Sequence, residues 1–162
     1  MRTKTPFFIA LAILAIASAS IAGAFLFEAL GYAPCELCLK ERIPYYAAIP
    51  LAGLALVFTA RGSRNLMRAA FSILAAIFAA GAILGTYHAG VEWGVWPGPQ
   101  ECSGPLKSVP SIEDFLAELQ TLKVARCDIA ALRILGLSLA GWNATVSAGL
   151  SVLALFTMIK NT

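Results

Sequence analysis

Two cysteines three residues apart, Cys35-Glu36-Leu37-Cys38, have the plainest capacity for chemistry in this chain. A disulfide across a C-x-x-C closes a ring too small to constrain much chain, so as a structural staple it would add little. The spacing suits reversible dithiol–disulfide exchange, because the second thiol is close enough to resolve a mixed disulfide. Haem attachment needs a His directly after the second cysteine, and Leu39 stands there. Cys102 and Cys127 have 24 residues between them. Structural zinc usually uses two C-x-x-C-like knuckles, so no metal is expected. Two structural disulfides are the plain alternative for four cysteines. Arg42 follows Cys38 by four residues, and on a helix the two would share a face, where a guanidinium favours the Cys38 thiolate. Pro44 suits a first helical turn and would start the helix only after Arg42, leaving Arg42 as a snorkelling interface residue. His88 is the only histidine, and it either caps an interface or stabilises negative charge.

The elements that must position these residues are membrane helices. Of 162 residues, 59% are hydrophobic and 13% charged. So few charges cannot cover a water-soluble globule, and so much apolar surface excludes disorder. Four stretches lack Asp, Glu, Lys, Arg and His: Phe7–Phe27, Ile43–Ala60, Ala69–Tyr87 and Ile134–Ile159. The first three have the length of a bilayer-spanning helix. The fourth is longer, so its span is placed at Trp142–Ile159, with Trp142 as interface anchor and Ile134–Gly141 as an approach segment. The expected fold is all-α: a single domain, 1–162, forming an antiparallel four-helix transmembrane bundle. Its spans are 7–27, 43–60, 69–87 and 142–159, with outward loops at 28–42 and 88–141.

Charge sets the orientation. Arg2 and Lys4, then Arg61, Arg64 and Arg68, then Lys160 form three basic segments without an acidic side chain. All nine carboxylates lie in the two other loops. The positive-inside rule therefore puts both termini in the cytoplasm and the loops outside. All four cysteines fall in those outward loops, where disulfides persist. Arg2, Lys4, the apolar run and Ala17-Ser18-Ala19 also resemble a signal peptide, but the run continues to Phe27, longer than a usual signal core. The net charge of +3, with no basic patch among aromatics, gives no reason to expect nucleic acid.

In the second loop, Pro110-Ser111-Ile112-Glu113-Asp114 reads as a helix start. Ile112, Phe115, Leu116, Leu119 and Leu122 then share one face, giving a short amphipathic helix that lies on the bilayer or on the bundle top. Trp93-Gly94-Val95-Trp96-Pro97-Gly98-Pro99 is turn-rich and suggests a mobile loop able to meet a partner. Gly81 and Gly85 form a GxxxG suited to close helix packing. Tyr45, Tyr46 and Pro50 read as packing and a kink, and the sequon at Asn143 sits at the edge of a span.

The ordered set is similar to the DsbB (disulfide bond formation protein B) family. Pro34-Cys35-Glu36-Leu37-Cys38-Leu39-Lys40-Glu41-Arg42 opens the second span, and Tyr87-His88-Ala89-Gly90-Val91-Glu92-Trp93-Gly94 follows the third. Cys102, Cys127 and Leu135-Gly136-Leu137 ahead of Trp142 complete the set. The resemblance implies a quinone-dependent protein-disulfide oxidoreductase of the bacterial inner membrane. It would re-oxidise a periplasmic thioredoxin-fold oxidase of the DsbA type and pass the electrons to ubiquinone or menaquinone. It implies that Cys102 forms the mixed disulfide with the partner and Cys127 relays to Cys35. It implies further that Cys38 is the thiolate facing the quinone, with Arg42 the quinone-side cation and His88 nearby. A vitamin-K-epoxide-reductase-like enzyme shares this chemistry, but there the C-x-x-C usually lies late in the chain. A non-catalytic membrane subunit, with structural disulfides or a bound metal, is the rival from another class.

Overall fold

The computed structural model describes residues 4–99 and 126–160. Among them are four helices: α1 (Lys4–Ala29), α2 (Glu36–Ala60), α3 (Arg64–Glu92) and α4 (Leu139–Lys160). A two-stranded hairpin, β1 (Arg133–Ile134) and β2 (Leu137–Ser138), precedes α4. Each helix is long and apolar enough to cross a membrane. The molecule is an all-α membrane bundle, as the charge-free runs predict.

Small residues bring the helices together. Ala10 and Ala17 of α1, Ala48, Ala52 and Ala55 of α2, Ala70 of α3 and Ala154 of α4 are buried in one core. Their short side chains let backbones approach closely, which drives association where lipid removes the hydrophobic contrast. Phe71, Leu74 and Phe78 of α3 fill the centre, and Phe78 meets Tyr45 edge-on at 5.8 Å between ring centroids. The GxxxG of α3 faces its neighbours: a Cβ on Gly81 would meet Ser147 Oγ at 3.2 Å and Pro44 Cβ at 3.4 Å. A Cβ on Gly85 would stand 2.8 Å from the Ala144 backbone nitrogen. Helix α3 therefore packs extensively on α4 and α2, while α1 packs on α2 and only lightly on α4.

Three differences from the expected boundaries bear on the site. Helix α2 begins at Glu36, not after Arg42, because Cys35 caps it in extended geometry and accepts the Cys38 N–H at 3.3 Å. Pro44 is then inside the helix. Helix α3 runs five residues past Tyr87 and carries His88 within it. The approach segment to α4 holds the β1–β2 hairpin, whose turn residues Leu135 and Gly136 have φ of +53° and +85°. Positive φ at both central residues matches the twist of a two-residue hairpin. Trp142 Nε1–H donates to Ile134 O at 2.9 Å and ties the hairpin to α4.

The segment after α3 is also held more closely than a mobile loop. Trp96 stacks on Tyr87 with rings 4° from parallel, and its Nε1–H donates to Tyr87 O at 2.7 Å. Val95 N–H donates to Gly90 O at 2.8 Å. The expected helix at 111–122 and Cys102 lie outside the described residues.

Candidate functional site

The site forms where the first turns of α2 meet the last turns of α3. Cys35 and Cys38 are free thiols with sulfurs 3.0 Å apart. Because Cys35 is the helix cap, its sulfur faces the unpaired N–H groups and positive end of α2, a setting that favours thiolate. His88 Nε2 of α3 stands 3.5 Å from the same sulfur. The Cys35 thiol is lowered from the ordinary 9.0 to about 4. The hydrogen bond shared with Cys38 is the main cause, and His88 and the Cys38 N–H add to it against the opposing effect of burial.

Behind His88 runs a chain of polar side chains. His88 Nδ1 lies 2.7 Å from Glu41 Oε1, and Glu41 Oε2 accepts from Asn143 Nδ2 at 2.9 Å. Asn143 Oδ1 accepts from Tyr45 O–H at 2.8 Å, and the Tyr45 oxygen lies 3.0 Å from Ser147 Oγ. Burial is deep: His88 is 2% exposed and Glu41 7%. Buried polar groups in an apolar surround are tolerated when each finds a partner, and this chain pairs them across three helices.

Arg42 also belongs to this region but does not serve the sulfurs. Its Nη1–H donates to Glu28 Oε2 at 2.8 Å, and its guanidinium lies 5.2 Å over the Phe25 ring. The helical Cys38–Arg42 spacing is realised, yet the group facing the dithiol is the imidazole of α3.

A cavity of about 480 Å³ opens beside the dithiol. Its walls come from α1 (Ser20, Ala24, Phe27), α2 (Cys38, Glu41, Arg42, Tyr45), the hairpin (Ile134) and α4 (Leu139, Trp142, Asn143, Val146). This volume is in the range of small-molecule sites, and the mostly apolar wall with a few convergent polar groups is typical of them. The cavity lies between α1 and α4, the two helices that touch only lightly.

Cys127 is buried and disulfide-bonded. It shares one apolar cluster with Cys35, Leu37 and Val91, against which Cys38, Leu84 and Tyr87 pack. The structure thus brings Cys35, Cys38, His88 and Cys127 into one region, with Arg42 on the cavity wall. Glu41, Tyr45 and Asn143 were not anticipated as site residues. One signal was available: Cys38, Glu41, Arg42 and Tyr45 are spaced i, i+3, i+4, i+7, one stripe of a helix. Nothing local marks Asn143, which is 102 residues from Glu41. The donor atoms of Cys35, Cys38 and His88 lie within 4.8 Å of one another and are also a possible soft-metal set.

The chain is 30% identical over 138 residues to RP370, an uncharacterized protein of Rickettsia prowazekii (strain Madrid E), covering 83% of this chain and 74% of that protein. No solved structure matches it. The family described as disulfide bond formation protein DsbB matches residues 5–157. A dithiol capped on a membrane helix, a third cysteine packed in its cluster and this match agree: the chain belongs to the DsbB family, multi-pass membrane oxidoreductases of disulfide-bond formation.

Proposed function

We propose that this protein re-oxidises a periplasmic dithiol protein of the DsbA type and passes the electrons to a membrane quinone, ubiquinone or menaquinone. The observation that carries the reading is the cavity. Cys38 stands on the wall of an apolar chamber bounded by the lightly touching α1 and α4, while Cys35 lies buried in the cluster that holds Cys127. A dithiol with one thiol toward lipid and the other toward a second disulfide can take electrons from one side and deliver them to the other.

In this reading the partner's thiolate attacks Cys102 to form the mixed disulfide, the freed Cys127 relays to Cys35, and the partner's second thiol resolves the mixed disulfide. The partner's dithiol becomes a disulfide as the Cys35–Cys38 disulfide becomes a dithiol. Re-forming the Cys35–Cys38 bond releases two electrons and two protons. A quinone supplies the capacity to accept both. Its apolar body suits the Ala24, Phe27 and Val146 walls, and Arg42 is the cation beside them. His88 holds the dithiol side of the site through Cys35 and Glu41. The basic segments support a topology with both termini in the cytoplasm and the redox loops in the periplasm of a bacterial inner membrane.

The test uses purified protein in detergent, challenged with a reduced DsbA-type protein and a short-chain quinone. Given the oxidised partner instead, the free Cys102 of Cys127→Ser is expected to accumulate a partner adduct on a non-reducing gel and Cys102→Ser none. Cys38→Ser is expected to abolish quinone reduction while still allowing docking. Normal quinone turnover by Cys38→Ser would sink the reading. The metal alternative makes the opposite forecast: the thiols would not exchange until a chelator removed the ion, and that removal would abolish function.

A further inference from the structure

Five polar side chains at membrane depth are expensive, and such residues mark function more often than packing. Four of them meet at one amide. Glu41 is acceptor-only when ionised, so the Asn143 amide must turn its Nδ2–H toward Glu41 Oε2 and its oxygen toward the Tyr45 hydroxyl. Ser147, fully buried, lies 3.0 Å from the Tyr45 oxygen and completes the hold. The amide orientation is therefore fixed from both ends. Gly85 makes room for it, since the site of its absent Cβ lies 3.1 Å from Asn143 Nδ2.

We propose that Asn143 is a positioning residue for proton release from the dithiol. Held by Tyr45 and Ser147, it fixes Glu41 against His88, so that the proton leaving Cys35 is handed through His88 to Glu41 at the cavity wall. The inference rests on the quinone reading above for its final acceptor. The step balances as follows. The S–S bond forms between Cys35 and Cys38, and its two electrons go to the quinone, which becomes quinol. Cys35 is already thiolate, its proton resting on His88 Nε2, and as the bond forms the Nδ1 proton of that imidazolium passes to Glu41 Oε1. Glu41 and Asn143 both line the cavity, so the carboxyl is placed to give that proton to a quinone oxygen. The second proton comes from Cys38, which is itself on the wall. The charged and titratable groups facing this path are Glu41, Tyr45 and Arg42 of α2, the last paired with Glu28 of α1, and His88 and Glu92 of α3. Glu92 Oε1 lies 4.0 Å from His88 Nε2.

The test reads the thiolate of the reduced, quinone-free protein by ultraviolet absorbance against pH. It also follows single-turnover re-oxidation by a short-chain quinone. Asn143→Leu removes the donor that holds Glu41, so Cys35 loses the fixed imidazole behind it. Its thiolate midpoint is expected to rise by about one pH unit, and re-oxidation to slow about ten-fold. Tyr45→Phe leaves the amide in place but frees one end of it, and should shift both readouts in the same direction by a smaller amount. It carries the test alone if Asn143→Leu does not fold. Folded variants with an unmoved thiolate midpoint would overturn the inference. If the wild-type protein were not re-oxidised by quinone while the midpoint shifted as expected, the acceptor would be wrong and the positioning role would stand.

Discussion

Cys35 and Cys38 share a motif but not an environment. Cys35 caps α2, receives a backbone N–H and faces His88, whereas Cys38 sits three residues into the helix on the cavity wall. The low value of about 4 at Cys35 gives a pH signature. With a folded value below the ordinary 9.0, thiolate formation stabilises the reduced fold fully above pH 9.0. That contribution shrinks as pH falls and is gone below about 4. Thiolate absorbance of the reduced protein should therefore persist from neutral pH to near 5 and vanish below about 4. His88→Ala should move its loss to higher pH, because one stabilising contact to the sulfur is removed. Arg42→Ala should leave this titration in place and raise the KM for quinone, because Arg42 is engaged by Glu28 and Phe25 and not by the sulfurs. A shifted thiolate titration in Arg42→Ala would contradict this division of labour. At this scale Cys35, Cys38, Cys127, Arg42 and His88 stand out by residue type and spacing, and the structure gathers them in one region, while Cys102 lies outside the described residues. Asn143 does not stand out, because its meaning comes from a contact between α2 and α4 that no local pattern encodes.

Glycine spacing in α3 decides where α4 sits. Gly85 lies against the Ala144 backbone, which cannot rotate away as a side chain could. Gly85→Ala should therefore push α4 outward and destabilise the bundle by about 1–3 kcal/mol. It should also weaken the Asn143–Glu41 contact. Thermal unfolding in detergent measures the first effect. The hairpin offers a contrasting case. Leu135 holds φ of +53°, a conformation costly for a side chain with a Cβ, and it is 89% exposed. Leu135→Gly should stabilise the turn by about 1 kcal/mol, and an unchanged melting temperature would argue that membrane contacts of Leu135 offset the strain. Helix existence was readable because charge-free runs of spanning length have few other uses. Helix ends were less so. Glu36, Lys40, Glu41 and Arg42 look like loop charges, yet all four lie inside α2. Lys40 pairs with Glu36, Arg42 with Glu28, and Glu41 with His88 and Asn143. Charges that find partners can extend a helix beyond its apolar run, and those partners come partly from other helices. The GxxxG, by contrast, does in the fold what its spacing suggests, joining α3 to α2 and α4.

Over the whole molecule, the basic segments predict a single orientation. A reporter inserted at Gly62 or fused after Lys160 should behave as cytoplasmic, and one placed at Pro99 as periplasmic. A periplasmic signal at Gly62 would overturn the charge argument. The helix order leaves one seam incompletely closed, between α1 and α4, and the cavity lies along it. A molecule entering by that seam would come from the membrane plane. The quantity governing turnover is then the number of acceptor molecules per lipid, not per litre. Diluting proteoliposomes with buffer should leave the rate per enzyme unchanged, whereas adding acceptor-free lipid to the same vesicles should lower it in proportion. For this enzyme the bilayer would be the reaction volume.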